Sequence, residues 1–195
     1  MSDTTTVQPI VLITGANRGL GLVEDAKNAV KDLTEKYGID HIDVVIANSA
    51  VGTQSVPILD ITPEEFTEHF NVNTRGVLLL YQATRELLLK GDQKNFVIMS
   101  SILATLSRPW HKVGMITYGT SKVALNYLAR GIHFEDESLI TFTFDPGHIN
   151  TRLGQKASEF LGYPPPHSVE DTAPKIVRFI EDASRAETSG GLWRV

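Results

Sequence analysis

Ile10-Val11-Leu12-Ile13-Thr14-Gly15-Ala16-Asn17-Arg18-Gly19-Leu20-Gly21 decides the fold of this chain. Its first four residues are apolar without alternation, the pattern of a strand buried on both faces, as in a parallel sheet. The run ends at Thr14-Gly15, and Gly19 and Gly21 follow before a helical pattern begins. Glycines at such a turn allow tight bending and close approach of a pyrophosphate. The helix N-terminus behind them offers free backbone N–H donors and a favourable dipole. The spacing departs from the Gly-x-Gly-x-x-Gly fingerprint, with three residues in the first gap and one in the second. Gly-rich strand-to-helix turns also occur without a ligand. Arg18 reads equally as a contact to an extra phosphate or as a surface residue.

Outward from the turn, strands alternate with helices. Val44-Val45-Ile46-Ala47, Phe96-Val97-Ile98-Met99 and Ile140-Thr141-Phe142-Thr143-Phe144 are further buried strands. Val23, Ala26, Val30, Leu33 and Tyr37 fall three and four apart, giving one apolar stripe on a helix over 20–36. Thr62-Pro63-Glu64-Glu65 starts another helix, with a cap, a proline at its first position and an acid at its third. One long helical stretch follows, with Leu78, Leu79, Leu80 and Leu87, Leu88, Leu89 in its apolar segments. Residues 118–132 form another helix. Ser168 and Asp171 cap a last one through Ile180, with Pro174 as an early proline within it. Tyr163-Pro164-Pro165-Pro166 reads as a stiff loop. Strands separated by helices imply an α/β fold, a parallel sheet with helices packed on it in three layers. No repeat or linker interrupts 1–195, so one domain is expected.

Composition narrows the function. The 195 residues are 42% hydrophobic and 21% charged, a globular balance that excludes bulk disorder. With no cysteine, thiol catalysis, thiolate metal sites and disulfides are excluded, and no metal is expected. A net charge of -5 gives no broad attraction to nucleic acid or to an anionic membrane. No run approaches 18 apolar residues, and residues 1–8 lack the apolar core of a signal peptide, so a cytoplasmic location is the default expectation.

Chemistry enters with Tyr118-Gly119-Thr120-Ser121-Lys122, which places a phenol and an ammonium at i and i+4, on one face of a helix. A free tyrosine titrates near pH 10, too high to exchange protons readily at neutrality. A nearby cation favours the phenolate, and the tyrosine then donates a proton to a developing alkoxide or accepts one in reverse. Ser100 and Ser101 end a strand, where α/β sheets place their ligands. Either hydroxyl serves a substrate carbonyl or simply caps the backbone.

Together these residues resemble the short-chain dehydrogenase/reductase family, a Rossmann-like fold. Residues 14–21 match its Thr-Gly-x-x-x-Gly-x-Gly turn, and 118–122 match its Tyr-x-x-x-Lys. Ser101 fits the family's catalytic serine. Asn73, in Asn73-Thr74-Arg75-Gly76, fits the asparagine that kinks a helix and holds a relay water. Asp145-Pro146-Gly147, with Ile149 and Thr151, fits the loop that meets the nicotinamide, and Ser189-Gly190-Gly191 fits the approach to the final strand. The nearest flavour is the fungal branch of norsolorinic acid ketoreductase-like proteins. The resemblance implies NAD(P)H-dependent reduction of a ketone or aldehyde, reversibly, on a small-molecule substrate. Tyr118 is then the general acid, Lys122 binds the nicotinamide ribose and lowers the Tyr118 pKa, Ser101 orients the carbonyl, and Asn73 anchors the water. It further implies that Gly15, Asn17, Arg18, Gly19, Leu20, Gly21, Asn48, Ser49, Ala50, Pro146, Gly147, Ile149 and Thr151 line the cofactor together with Tyr118 and Lys122. Arg18 leans the preference toward NADP. Homodimers or homotetramers through the helix bearing Tyr118 are also implied.

Three departures from the family stand out. Ala50 replaces a glycine beside the cofactor. Ser101 and Tyr118 are 17 residues apart, which lengthens the loop 103–117; Trp110, His111 and Met115 either line a substrate pocket there or pack the loop. The largest departure is a missing internal segment of two strands and a helix between residue 21 and Asp43, which normally binds the adenosine ribose. One fused helix must therefore start like the family's first helix and travel like its third, and the strand over 10–13 becomes a sheet edge. That loss admits a second expectation, an inactive cofactor-binding or scaffold protein derived from such a reductase.

Overall fold

The structure, a computed structural model, describes residues 8–15, 23–52, 56–107 and 114–194. The apolar runs become strands: β1 (Val11–Ile13), β2 (Val44–Ala47), β3 (Asn95–Met99) and β4 (Ile140–Asp145), with β5 (Leu192–Arg194) after Gly191. All pair in parallel, in the order β1-β2-β3-β4-β5. The helices between them are α1 (Val23–Tyr37), α2 (Pro63–His69), α3 (Gly76–Lys90), α4 (Ile116–Glu135), α5 (Arg152–Leu161) and α6 (Val169–Glu181). The result is a three-layer Rossmann-like fold with a short sheet.

Both faces of the central strands are buried, which explains apolar runs without alternation. One face carries Val45, Ala47, Phe96 and Ile98, packed with Val30 and Leu33 of α1, Leu80 and Leu87 of α3, and Leu125 and Ala129 of α4. The other carries Val44, Val97, Phe142 and Phe144 against Ile176, Phe179 and Ile180 of α6. The fused helix α1 thus lies on the side of α3 and α4. β1 is the edge strand among the described residues. Its Val11 and Ile13 lie in register with Val44 and Ile46 on the α6 side, yet they stay 45% and 50% exposed.

Local chemistry sets the element ends. The Thr62 hydroxyl accepts from the Glu65 amide at 3.2 Å with Pro63 at the first helical position, as the sequence predicts. Ser168 accepts from the Asp171 amide at 3.0 Å to start α6. Pro174 lies beyond the first turn, and α6 continues through it. Asp43, 4% exposed at the start of β2, accepts the Ile10 and Asp92 amides, each at 2.8 Å, and so ties the edge strand and the turn before β3 to the sheet.

Three sequence expectations need correction. Tyr37 is not part of the buried stripe, being 73% exposed. The chain turns at Gly38 (φ 67°), the Ile39 amide returns to the Leu33 carbonyl, and Ile39 takes the core position instead. The stretch after Thr62 is not one regular helix, because a π-helical segment, Phe70–Arg75, separates α2 from α3. Helix α5 has no counterpart in the sequence expectations. Its signals are Thr151 as an N-cap, the amide of Gly154 donating to it at 3.1 Å, and Gly162 in the left-handed region at the C-terminus.

Candidate active site

The C-terminal ends of β1 to β4 bring the predicted residues together. Thr14 holds the first two ends in place. Its hydroxyl accepts the Asn48 and Ser49 amides at 3.1 and 3.2 Å, and its carbonyl accepts from the Asn48 side chain at 3.2 Å. Gly15 then takes φ 81°, and a Cβ there would sit 2.9 Å from Ser49. Only glycine fits that left-handed, crowded position. The Ser49 hydroxyl, buried against it, has no hydrogen-bond partner among the described residues. Ala50 follows, partly buried. Asn17, Arg18, Gly19, Leu20 and Gly21 lie outside the described residues, as do Trp110 and His111.

Tyr118 and Lys122 project from the first turns of α4, and both are buried, at 8% and 2% exposure. Helical spacing stacks them, with the Lys122 Nζ 5.6 Å from the centre of the Tyr118 ring. The ammonium donates to the Met99 carbonyl at the end of β3, at 2.6 Å. Burial pulls its pKa down to about 8.

The expected lowering of Tyr118 is not what the structure shows. Burial first, and then the Asp145 carboxylate, push the phenol well above its ordinary value, while the Ser101 hydroxyl hydrogen bond works the other way. The Lys122 ammonium is turned to the Met99 carbonyl over the ring face rather than to the phenol oxygen. Tyr118 is accordingly protonated at neutral pH.

The two serines have different partners. Ser100 is 3% exposed and donates to Asn126 of α4 at 2.7 Å. Ser101 caps the short 3-10 turn Ile102–Ala104, accepting from the Leu103 amide at 3.2 Å, and its hydroxyl is the one that acts to lower the Tyr118 pKa.

Asn73 lies in the π-helical segment, fully buried. Its side chain exchanges two hydrogen bonds with the Val51 backbone, at 2.8 and 2.9 Å, and donates to Ser121 at 3.0 Å. The asparagine therefore rivets the segment following β2 to α4. A π turn disturbs the regular carbonyl ladder of the helix, as such turns do at functional sites.

The fourth wall is the turn after β4. Asp145 accepts the Gly147 amide at 3.1 Å, and Gly147 takes φ 80°. Pro146 lies between them, Ile149 bridges to His167, and Thr151 spends its hydroxyl on capping α5. Met115, a left-handed non-glycine residue at φ 53°, starts α4 beside Tyr118. A Cβ on Gly52 would meet Leu153 of α5 at 2.6 Å, Tyr118 at 3.5 Å and Met115 at 3.6 Å. Leu153, Tyr118 and Met115 thus converge on Gly52, and Leu153 carries no sequence expectation because α5 has none. Asp145 belongs to the expected nicotinamide loop, whereas its neighbour Arg194 carries no sequence expectation, because only the pairing of β4 with β5 brings the two together.

The arrangement fits a dinucleotide at its pyrophosphate and nicotinamide end. The Ser49 hydroxyl is an orphaned buried polar atom beside the Gly15 backbone, and the Lys122 ammonium spends one N–H on Met99 among the described residues. No group of three or more His, Cys, Asp or Glu able to hold a metal occurs among the described residues. No described helix is long and apolar enough to cross a membrane.

Comparison with known proteins agrees with the geometry. The family profile described as short chain dehydrogenase matches residues 23–161. Norsolorinic acid ketoreductase of Aspergillus parasiticus is 36% identical over 170 residues, 85% of this chain and 63% of that protein. The chain therefore spans less than two thirds of that relative's length. Short-chain dehydrogenase RED3 of Pyricularia oryzae is 28% identical over 241 residues, taking in 97% of this chain and 95% of that one. A 195-residue chain leaves about 50 of those positions unmatched, so the difference in length is internal. Among solved structures, an NADPH-bound carbonyl reductase from chicken fatty liver superposes with a TM-score of 0.76 at 20% identity, over 89% of this chain and 71% of that one. The match of the family profile across 23–161, with the Tyr118, Lys122, Ser101 and Asn73 geometry inside it, shows that this chain belongs to the short-chain dehydrogenase family.

Proposed function

We propose that this protein reduces the carbonyl of a small ketone or aldehyde to an alcohol, reversibly, with NADPH favoured over NADH. One observation carries the reading: a buried, protonated Tyr118 phenol at the C-terminal end of the sheet, acted on by the Ser101 hydroxyl, with Lys122 on the same helix face. The residues that would hold the dinucleotide are Gly15, Asn17, Arg18, Gly19, Leu20 and Gly21 on its phosphates, Asn48, Ser49 and Ala50 beside it, Lys122 on its ribose, and Pro146, Gly147, Ile149 and Thr151 on its nicotinamide. When bound, the dinucleotide supplies the hydride. Ser101 donates a hydrogen bond to the substrate oxygen and orients it. Tyr118 gives its proton to that oxygen as charge develops there. Lys122 stabilises the resulting phenolate. Asn73 holds the helix kink from which a water returns the proton. NADPH is favoured on Arg18 and on the carbonyl reductase that carries it. The reading includes association of copies through α4, whose outer face exposes Tyr127 at 82% and Phe134 at 65%.

A second reading, a cofactor-binding scaffold without turnover, draws on the internal shortfall of about 50 positions against RED3. The test is NADPH oxidation, followed at 340 nm, over a panel of small ketones and aldehydes. Wild type should turn over, and Tyr118→Phe should lower kcat/KM by about 10²–10⁴-fold with cofactor affinity kept. Cofactor binding without turnover in wild type would favour the scaffold.

A further inference from the structure

Asp145 and Arg194 stand directly opposite each other where the β4–β5 ladder ends. The Asp145 side chain is 5% exposed, and the Arg194 Nε lies 3.4 Å from its Oδ2. That oxygen has no hydrogen bond among the described residues. The other carboxylate oxygen accepts the Gly147 amide at 3.1 Å and so shapes the Pro146–Gly147 turn. Gly147 leaves a gap which Arg194 and His167 close: a Cβ there would lie 3.8 Å from the Arg194 Nη2 and 3.7 Å from His167. The Asn150 amide donates to the His167 carbonyl at 2.8 Å, which pins the far side of the turn. A buried carboxylate is costly unless paired, so Asp145 depends on Arg194 for its place.

The turn leads into α5 beside Tyr118: a Cβ on Gly52 would meet Leu153 of α5 at 2.6 Å and Tyr118 at 3.5 Å, and the Asp145 carboxylate raises the phenol's pKa. Under the function proposed above, the carbon that receives hydride is bonded to the oxygen that receives the Tyr118 proton. The nicotinamide must therefore sit against the walls around Tyr118, and this turn is one of them. We propose that Asp145 and Arg194 are positioning residues, an ion pair that clamps the Pro146–Gly147 turn to β5 in the shape that receives the nicotinamide end of the cofactor. The inference rests on the reductase reading.

The experiment compares two probes on the full chain: NADPH, and 2′-phosphoadenosine diphosphate ribose, which lacks only the nicotinamide. Ligand-observed NMR reads both dissociation constants into the weak range. Arg194→Gln should weaken NADPH about tenfold, roughly one charge-assisted hydrogen bond, and change the second probe less than about twofold. Arg194→Lys should restore most of the loss. If Arg194→Gln does not fold, Asp145→Asn decides, since it keeps an acceptor for Gly147 while losing the charge; it should show the same selective loss. Equal weakening of both probes, or no weakening of either, overturns the proposal while leaving the reductase reading intact. A wild-type chain that does not bind NADPH overturns both.

Discussion

Lys122→Met should make this protein more stable at neutral pH while removing its chemistry. The Lys122 side chain is 2% exposed, and its hydrogen bond among the described residues goes to a neutral acceptor, the Met99 carbonyl, at 2.6 Å. Burial disfavours the ammonium and takes its pKa from the ordinary 10.5 to about 8. At about 1.4 kcal/mol per pH unit, the folded protein forgoes about 3 kcal/mol wherever the lysine is charged in both states, which includes pH 7. Between pH 8 and 10.5 the unfolded lysine holds a proton that the folded one has lost, so wild-type stability rises with pH across that window. Methionine keeps much of the apolar stem without the charge. Urea unfolding followed by tryptophan fluorescence measures the difference. With a denaturant slope of about 2 kcal/mol/M, the Lys122→Met midpoint should lie about 1.5 M above wild type at pH 7, and the gap should nearly close by pH 10. A variant no more stable than wild type at pH 7, or a gap that stays constant with pH, would refute the account of an uncompensated buried cation. It would show instead that the ammonium is paid for by a neighbour.

Asp43→Ala should cost about 3 kcal/mol, since it deletes the acceptor of two buried amides, and bonds to a charged group contribute about 1.5–3 kcal/mol each. Burial opposes ionisation of Asp43, but the Ile10 and Asp92 amides outweigh it and hold the pKa below the ordinary value. Its contribution should therefore be complete at neutral pH and fade as pH falls below about 4 in acid unfolding monitored by circular dichroism. Val11→Lys and Ile13→Lys should each reduce light scattering at high concentration without lowering Tm, because both side chains are about half exposed on the edge strand. NADPH should bind about 10²–10⁴-fold more weakly than to a full-length relative in calorimetric titration, the equivalent of two lost charge-assisted hydrogen bonds in the adenosine pocket. A submicromolar constant would show that α1 completes the site.

Much of this architecture is legible in short-range pattern. Unalternating apolar runs mean strands buried on both faces, so 10–13, 44–47, 96–99 and 140–144 mark the parallel sheet within a residue or so of its observed bounds. Thr62-Pro63 and Ser168 mark helix starts because a cap satisfies amides only a few residues away. Spacing of four on a helix stacks Tyr118 with Lys122 in any fold that keeps the helix. The order of the landmarks from Thr14 to Gly191 points to the family. Other features depend on atoms far apart in sequence. Helix α5 is not legible in the sequence because its end signals, Thr151 and Gly162, are single residues. The ionisation of Tyr118 runs opposite to the sequence expectation because i to i+4 spacing gives proximity to a cation but neither burial nor the Asp145 carboxylate, 27 residues away. That Ser100 is taken up by Asn126, 26 residues away, is likewise a tertiary contact. The Asp145–Arg194 pair exists only because β4 and β5 lie side by side. Sequence determined which chemical groups this protein carries and on which local elements. Tertiary structure decided their charge states and partners, because desolvation and Coulomb forces act through space rather than along the chain.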